Sequence, residues 1–229
     1  SNFPVKIFIG YDSSEPIAYH VCCDSILKNS SIPVSFTPIG LINKPNMYSR
    51  LRGEKDSTEF AITRFLVPWF CDFKGIALFF DGDMVVRGDV AELVYQLDPS
   101  KAVSVVKHDY TPKTQTKFLK QAQTAYNRKN WSSVMLFNNQ LCTALSLTYV
   151  SRANGLDLHQ FRWLEDEQIG ELSPRWNHLV GEYPRSDSAS NLHYTLGGPY
   201  FEDYKNCDHA DDWQLAFDEA ITPLKLRSD

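Results

Sequence analysis

The stretch "IALFFDGDMVV", residues 76–86, decides how this chain is read. Five apolar residues, Ile76 to Phe80, have the character of a buried strand and run straight into Asp81, Gly82 and Asp83 before the chain turns apolar again. A turn is the plainest account, because Asp-Gly is a strong turn dipeptide and glycine supplies the positive φ that such turns often need. The context asks for more. Carboxylates that follow a buried strand sit at the mouth of a sheet, partly out of water, where two of them must share a proton or hold a cation. Hard divalent ions such as Mg²⁺ and Mn²⁺ favour oxygen ligands and commonly bridge carboxylates to substrate phosphates.

Upstream of this stretch, "VKIFIGYD" reads as a buried strand and "SEPIAYHVCCDSILKNS" as a helix with apolar spacing at Ile17, Val21 and Leu27. "IPVSFTPIG" is a second strand, and the polar "LINKPNMYSRLRGEKDS", with Pro45 and Gly53, an irregular loop. "STEFAITRFLVPWFCDF" predicts a second helix that starts at a Ser/Thr cap and stops near Pro68, and "KGIALFFDGDMVV" the third strand. Downstream come a short helix ("DVAELVYQL"), a fourth strand ("AVSVVKH"), a helix ("TQTKFLKQAQTAYN") and a fifth strand ("SSVMLFN"). Helices at "TALSLTYVSRA" and "LDLHQFRWL" follow, then an aromatic tail.

Alternating strands and helices predict an α/β fold, Rossmann-like, with a mostly parallel central sheet flanked by helices and a ligand crevice beyond the carboxyl ends of the strands. Asp12, Asp81 and Asp83 fall at such ends. No linker, composition break or internal repeat divides residues 1–229, so a single domain is expected.

Composition narrows the function. A chain of 229 residues can bury one substantial core. The net charge of -5 and the lack of a long basic run argue against nucleic acid as a partner. Cys22, Cys23, Cys71, Cys142 and Cys207 form an odd set without C-x-x-C spacing, which fits free thiols in a reducing compartment. No apolar run approaches the roughly 18 residues that an integral membrane segment needs, and the start carries no charged leader. A cytoplasmic protein is expected.

Five segments, in order, carry a resemblance: "KIFIGYDSSEPIAYHVCCDSIL", "ITRFLVPWFCDFKGIALFFDGDMVVRGDVAEL", "WSSVMLFN", "EDEQIGELSPRWN" and "HYTLGGPYF". Together they make the chain resemble the family 8 glycosyltransferases and their relatives of the GT-A fold, whose signature is a strand ending in D-x-D. The resemblance implies a nucleotide-sugar donor, uridine-linked, and a divalent cation, Mn²⁺ or Mg²⁺, held by Asp81, Asp83 and His193. It implies that Tyr11 and Asp12 meet the base and ribose, that Arg64 contacts the donor, and that Gly82 belongs to the donor-binding set. For Arg64 an ordinary surface ion pair with Glu59 or Asp56 is the competing expectation. Asp166 and Glu167 match the family's Asp-Gln pair beside the anomeric carbon, so a catalytic part is implied for both, with Glu167 as nucleophile or electrostatic stabiliser.

The match has departures. Trp131 and Ser133 stand where the family has asparagine and glycine, and the closing motif lacks its lysine, which leaves the backbone of Gly197 and Gly198 to approach a phosphate. The expected activity is hexosyl transfer with retention to a glycan, lipid or protein acceptor, with the loop at 41–57 as lid or acceptor wall. Two other readings compete: a haloacid-dehalogenase-like phosphatase with Asp81 as nucleophile, and a non-catalytic glycan-binding module.

Overall fold

A computed structural model of the chain describes residues 3–109 and 128–223. The helix expected at "TQTKFLKQAQTAYN" lies outside the described residues. Six strands form the main sheet: β1 (Val5–Gly10), β2 (Val34–Ile39), β3 (Ile76–Phe80), β5 (Val103–Val105), β6 (Val134–Asn138) and β7 (Ile169–Glu171), in the order β2-β1-β3-β6-β5-β7. Among the described strands only β6 runs against its neighbours; the other pairings in this sheet are parallel. A second, three-stranded sheet has the order β4-β9-β8, from β4 (Met84–Val86), β8 (His178–Leu179) and β9 (Asn191–His193).

Strand alternation sorts the main sheet's side chains onto two buried faces. Ala77, Phe79, Met135 and Phe137 pack with Phe65, Leu66 and Val67 on one face. Leu78, Phe80, Val134 and Leu136 pack on the other with Cys22 and Ile26 of α1 (Pro16–Asn29) and Leu93 of α3 (Ala91–Tyr95). Side chains of this kind contribute roughly 1.5–3 kcal/mol each when fully buried, so the middle of the sheet is the rigid part of the fold. Among the described residues no helix is long and apolar enough to cross a membrane.

Two sequence expectations are corrected. The third strand does not run through "DGD": β3 ends at Phe80, and the chain crosses to the second sheet, where β4 pairs antiparallel with β9. Gly82 makes the crossing possible, since a Cβ there would lie 2.2 Å from the Gly10 carbonyl oxygen. The long helix from "STEFAITRFLVPWFCDF" is instead a 3₁₀ turn at Thr63–Leu66 followed by α2 (Val67–Phe70). Its first part is diverted because the Asp12 carboxylate accepts the Glu59 N–H at 3.2 Å, a local bond that competes with helix. Pro68 sits in the first turn of α2, where its missing N–H costs nothing, and so begins that helix rather than ending it.

Candidate metal centre and cleft

Asp81 ends the β3–β6 ladder, its N–H donating to the Ser133 carbonyl at 3.0 Å. Asp83 opens the second sheet, its carbonyl accepting the Tyr194 N–H at 2.9 Å. Met84 is the cross-strand partner of His193, so the imidazole is delivered to the aspartates by the pairing of β4 with β9. His193 Nε2 lies 3.3 Å from Asp81 Oδ2 and 3.1 Å from Asp83 Oδ1. Among the described residues these three side chains form the group whose ligand atoms, all within 4.8 Å of one another, could hold a metal ion.

Electrostatics agree with a cation site. Burial would push the His193 imidazole toward neutrality, but the Asp83 charge and contacts with both aspartates outweigh it and hold its pKa up at about 10. Burial would likewise raise Asp81, yet Arg64 and His193 hold its carboxyl below the usual range. The proton on Nε2 thus supplies positive charge between the carboxylates, and a cation taken up there would displace it and leave the hydrogen on Nδ1. Asp83 Oδ1 is buried and accepts no well-directed hydrogen bond, an orphaned acceptor of the kind that suits a metal ligand. The donor set of two carboxylates and one imidazole fits a divalent ion.

Arg64 is buried, not paired at the surface with Glu59 or Asp56. It donates to Asp81 Oδ1 at 2.8 Å and to the Ser132 carbonyl at 2.9 Å, and its Nε donates to the Ala61 carbonyl at 3.0 Å. Aspartates, arginine and histidine all face a cleft of about 440 Å³.

The other expected residues are placed unevenly. Tyr11 packs its ring edge-on to Tyr19. The Asp12 carboxylate is engaged by the Ser14 N–H and hydroxyl as well as by Glu59, closing the turn into α1. Neither lines the cleft; Glu15, from the same turn, does. Gly197 also lines it, at φ +142, and a Cβ there would meet the Tyr204 ring at 2.4 Å. Gly198 is buried behind it against Tyr200. Asp166 and Glu167 are not brought to the cleft. Both are exposed on a 3₁₀ turn, Asp166–Gln168, closed by a bond from the Glu165 N–H to the Gln168 side chain. Asp166 reaches the cleft indirectly, binding Arg128 of its wall at 2.7 Å.

Sequence reasoning missed Glu15 and the pair Ser132–His159. Burial, with the charges of Asp83, Asp12 and Asp81, raises the Glu15 carboxyl to about 8. Ser132 Oγ lies 2.7 Å from His159 Nδ1. Burial and the Arg64 charge push that imidazole down to about 3, so it is neutral. The acid at a helix start was a visible signal for Glu15; nothing local marks Ser132 or His159.

No family model matches the chain. Protein CDI of Arabidopsis thaliana is 44% identical over 235 residues, spanning 99% of this chain and 91% of that protein. The chain belongs to the Protein CDI family. Solved structures similar to this member are glycosyltransferases. WbbM, a bifunctional glycosyltransferase, superposes with a TM-score of 0.61 at 14% identity over 93% of the chain. GlyE of Streptococcus pneumoniae gives 0.59 at 14% identity over 96%, and the galactosyltransferase LgtC, solved with donor and acceptor sugar analogs, 0.61 at 10% identity over 96%. The chain spans 49% of the WbbM chain, 61% of GlyE and 98% of LgtC. These likenesses establish the GT-A fold.

Proposed function

We propose that this member of the Protein CDI family is a metal-dependent glycosyltransferase, a divergent relative of family 8. It moves a hexose from a nucleotide-sugar donor, uridine-linked, to a glycan, lipid or protein acceptor with retention, in the cytoplasm. The observation that carries this reading is the meeting of Asp81, Asp83 and His193 at the carboxyl end of the sheet, facing the cleft. The imidazole in the set favours Mn²⁺ over Mg²⁺, which keeps to oxygen ligands.

A divalent cation bound there supplies positive charge against a diphosphate leaving group. Arg64 orients Asp81; Arg128, itself paired with Asp166, and Lys129 add positive charge at the cleft wall for the donor. Ser132, backed by the neutral His159, offers a hydroxyl to the sugar. Glu15 extends the proposed base and ribose site of Tyr11 and Asp12 into the cleft, with Gly82 and Gly197 letting the backbone come close. A part for Glu167 beside the anomeric carbon stands on transfer by Glu167→Gln; an unchanged rate removes it.

The test is calorimetric titration with a panel of nucleoside diphosphates, with and without Mn²⁺, on the wild type and on Asp83→Ala. Metal-dependent binding of one nucleotide, lost in the variant, is expected. No binding of any nucleotide overturns the reading, and a phosphoenzyme trapped at Asp81 would put a phosphatase in its place.

A further inference from the structure

Behind the metal group lies a polar chain whose direction can be deduced. The Asn130 carbonyl, at a residue with φ +63, can only accept, and the Ser133 hydroxyl donates to it at 2.7 Å. That hydroxyl's proton being committed, Ser133 Oγ must accept from the Asn177 side chain 2.7 Å away, so the Asn177 group facing Ser133 is the NH₂. A second approach from Asn177 Nδ2 to the Asn130 carbonyl, at 3.4 Å, fixes the same orientation. Asn177 Oδ1 is therefore turned to His193 Nδ1, 3.1 Å away, and Nδ1 is the nitrogen that carries hydrogen. Asn177, Ser133 and His193 are all buried, so water does not compete for these bonds.

We infer that Asn177 and Ser133 are positioning residues that lock His193 in the Nδ1–H tautomer and direct the Nε2 lone pair at the metal position between Asp81 and Asp83. Ser133 replaces the glycine of the family 8 pattern and supplies the hydroxyl that pins the amide. Partners of this kind typically change metal affinity by about 10–100-fold. The inference rests on the metal reading above, and its test separates the two.

Free Mn²⁺ is counted by electron paramagnetic resonance in titrations of the wild type, Asn177→Leu, Asn177→Asp and Ser133→Ala, with folding checked by circular dichroism. Asn177→Leu is expected to weaken Mn²⁺ binding by at least about 10-fold. Asn177→Asp, which still accepts the Nδ1 proton but has no NH₂ to give Ser133, should recover only part of it, as should Ser133→Ala, which keeps the amide but loses its pin; either variant binding no better than Asn177→Leu would overturn the inference. Should Asn177→Leu not fold, Ser133→Ala carries the test alone, and wild-type affinity in that variant overturns the inference. Equal affinity in wild type and folded Asn177→Leu also overturns it and leaves the metal site standing. A wild type that takes up no Mn²⁺ removes both.

Discussion

One guanidinium nitrogen of Arg64 bridges the Asp81 carboxylate at 2.8 Å and the Ser132 carbonyl at 2.9 Å, tying the end of β3 to the entry of β6. The pair is largely out of water, so removing the guanidinium strands Asp81 Oδ1 and leaves His193 as the carboxylate's remaining cation, rather than deleting a surface contact. Arg64→Met is expected to cost roughly 3–5 kcal/mol in urea unfolding. Arg64→Lys should recover only part of it, because one ammonium cannot reproduce the fork of donors.

Acid stability should depend on His108. Burial and the His193 charge depress its pKa to about 4, against 6.5 for the free side chain. The unfolded chain therefore binds the extra proton between these values, so stability is present above pH 6.5 and is lost as pH falls toward 4. Full titration of that window amounts to roughly 3 kcal/mol. Denaturant midpoints of His108→Gln measured at pH 7.5 and pH 5 should differ less than those of the wild type; an equal loss would contradict the assignment.

Gly82→Ala is expected to cost roughly 1–3 kcal/mol, since the new methyl meets the Gly10 carbonyl, a backbone atom that cannot swing aside. Gly75→Ala is the matched control. It has φ +65 but nothing within 4 Å of a new Cβ, so its penalty is backbone strain alone, about 1–2 kcal/mol. Thermal melts of the two variants check the order.

Thiol chemistry offers a quick probe. All five cysteines are free, and Cys22, Cys71 and Cys142 are buried. Burial pushes Cys142 up to about 12 and Cys22 well above its ordinary range. Ellman's reagent should reach at most Cys23 and Cys207 in the native protein, and all five after unfolding.

Much of the fold was legible because β1, β3 and β6 are buried on both faces, apart from the exposed Lys6, and so appear as mostly apolar runs. Strand direction was not legible: the reversal of β6 is set by its long-range pairing with β3 and β5, which leaves no trace in local hydropathy. The helix expected from residue 57 failed for a nameable reason, the capture of the Glu59 N–H by Asp12 from another part of the chain. Within the site, Asp81 and Asp83 announced themselves by spacing. His193 was reachable only through its neighbours "YTLGGPYF". Ser132, His159 and Asn177 have ordinary local surroundings and acquire meaning only once β6, β8 and β9 converge. Glu167 is a different case, since three acids in a row stand out in the sequence and the turn leaves them exposed, outside the cleft's lining.

The crossing at Gly82 has a mechanical consequence. Asp81 belongs to the main sheet, whereas Asp83 and His193 belong to the small one, so an ion gripping all three is a rivet through two separately hydrogen-bonded layers. Loading the site would then stiffen the small layer relative to the large one. Slower amide exchange at Leu192 and His193 on Mn²⁺ addition, with Leu78 and Phe79 unchanged, would be the signature of that rivet being driven home.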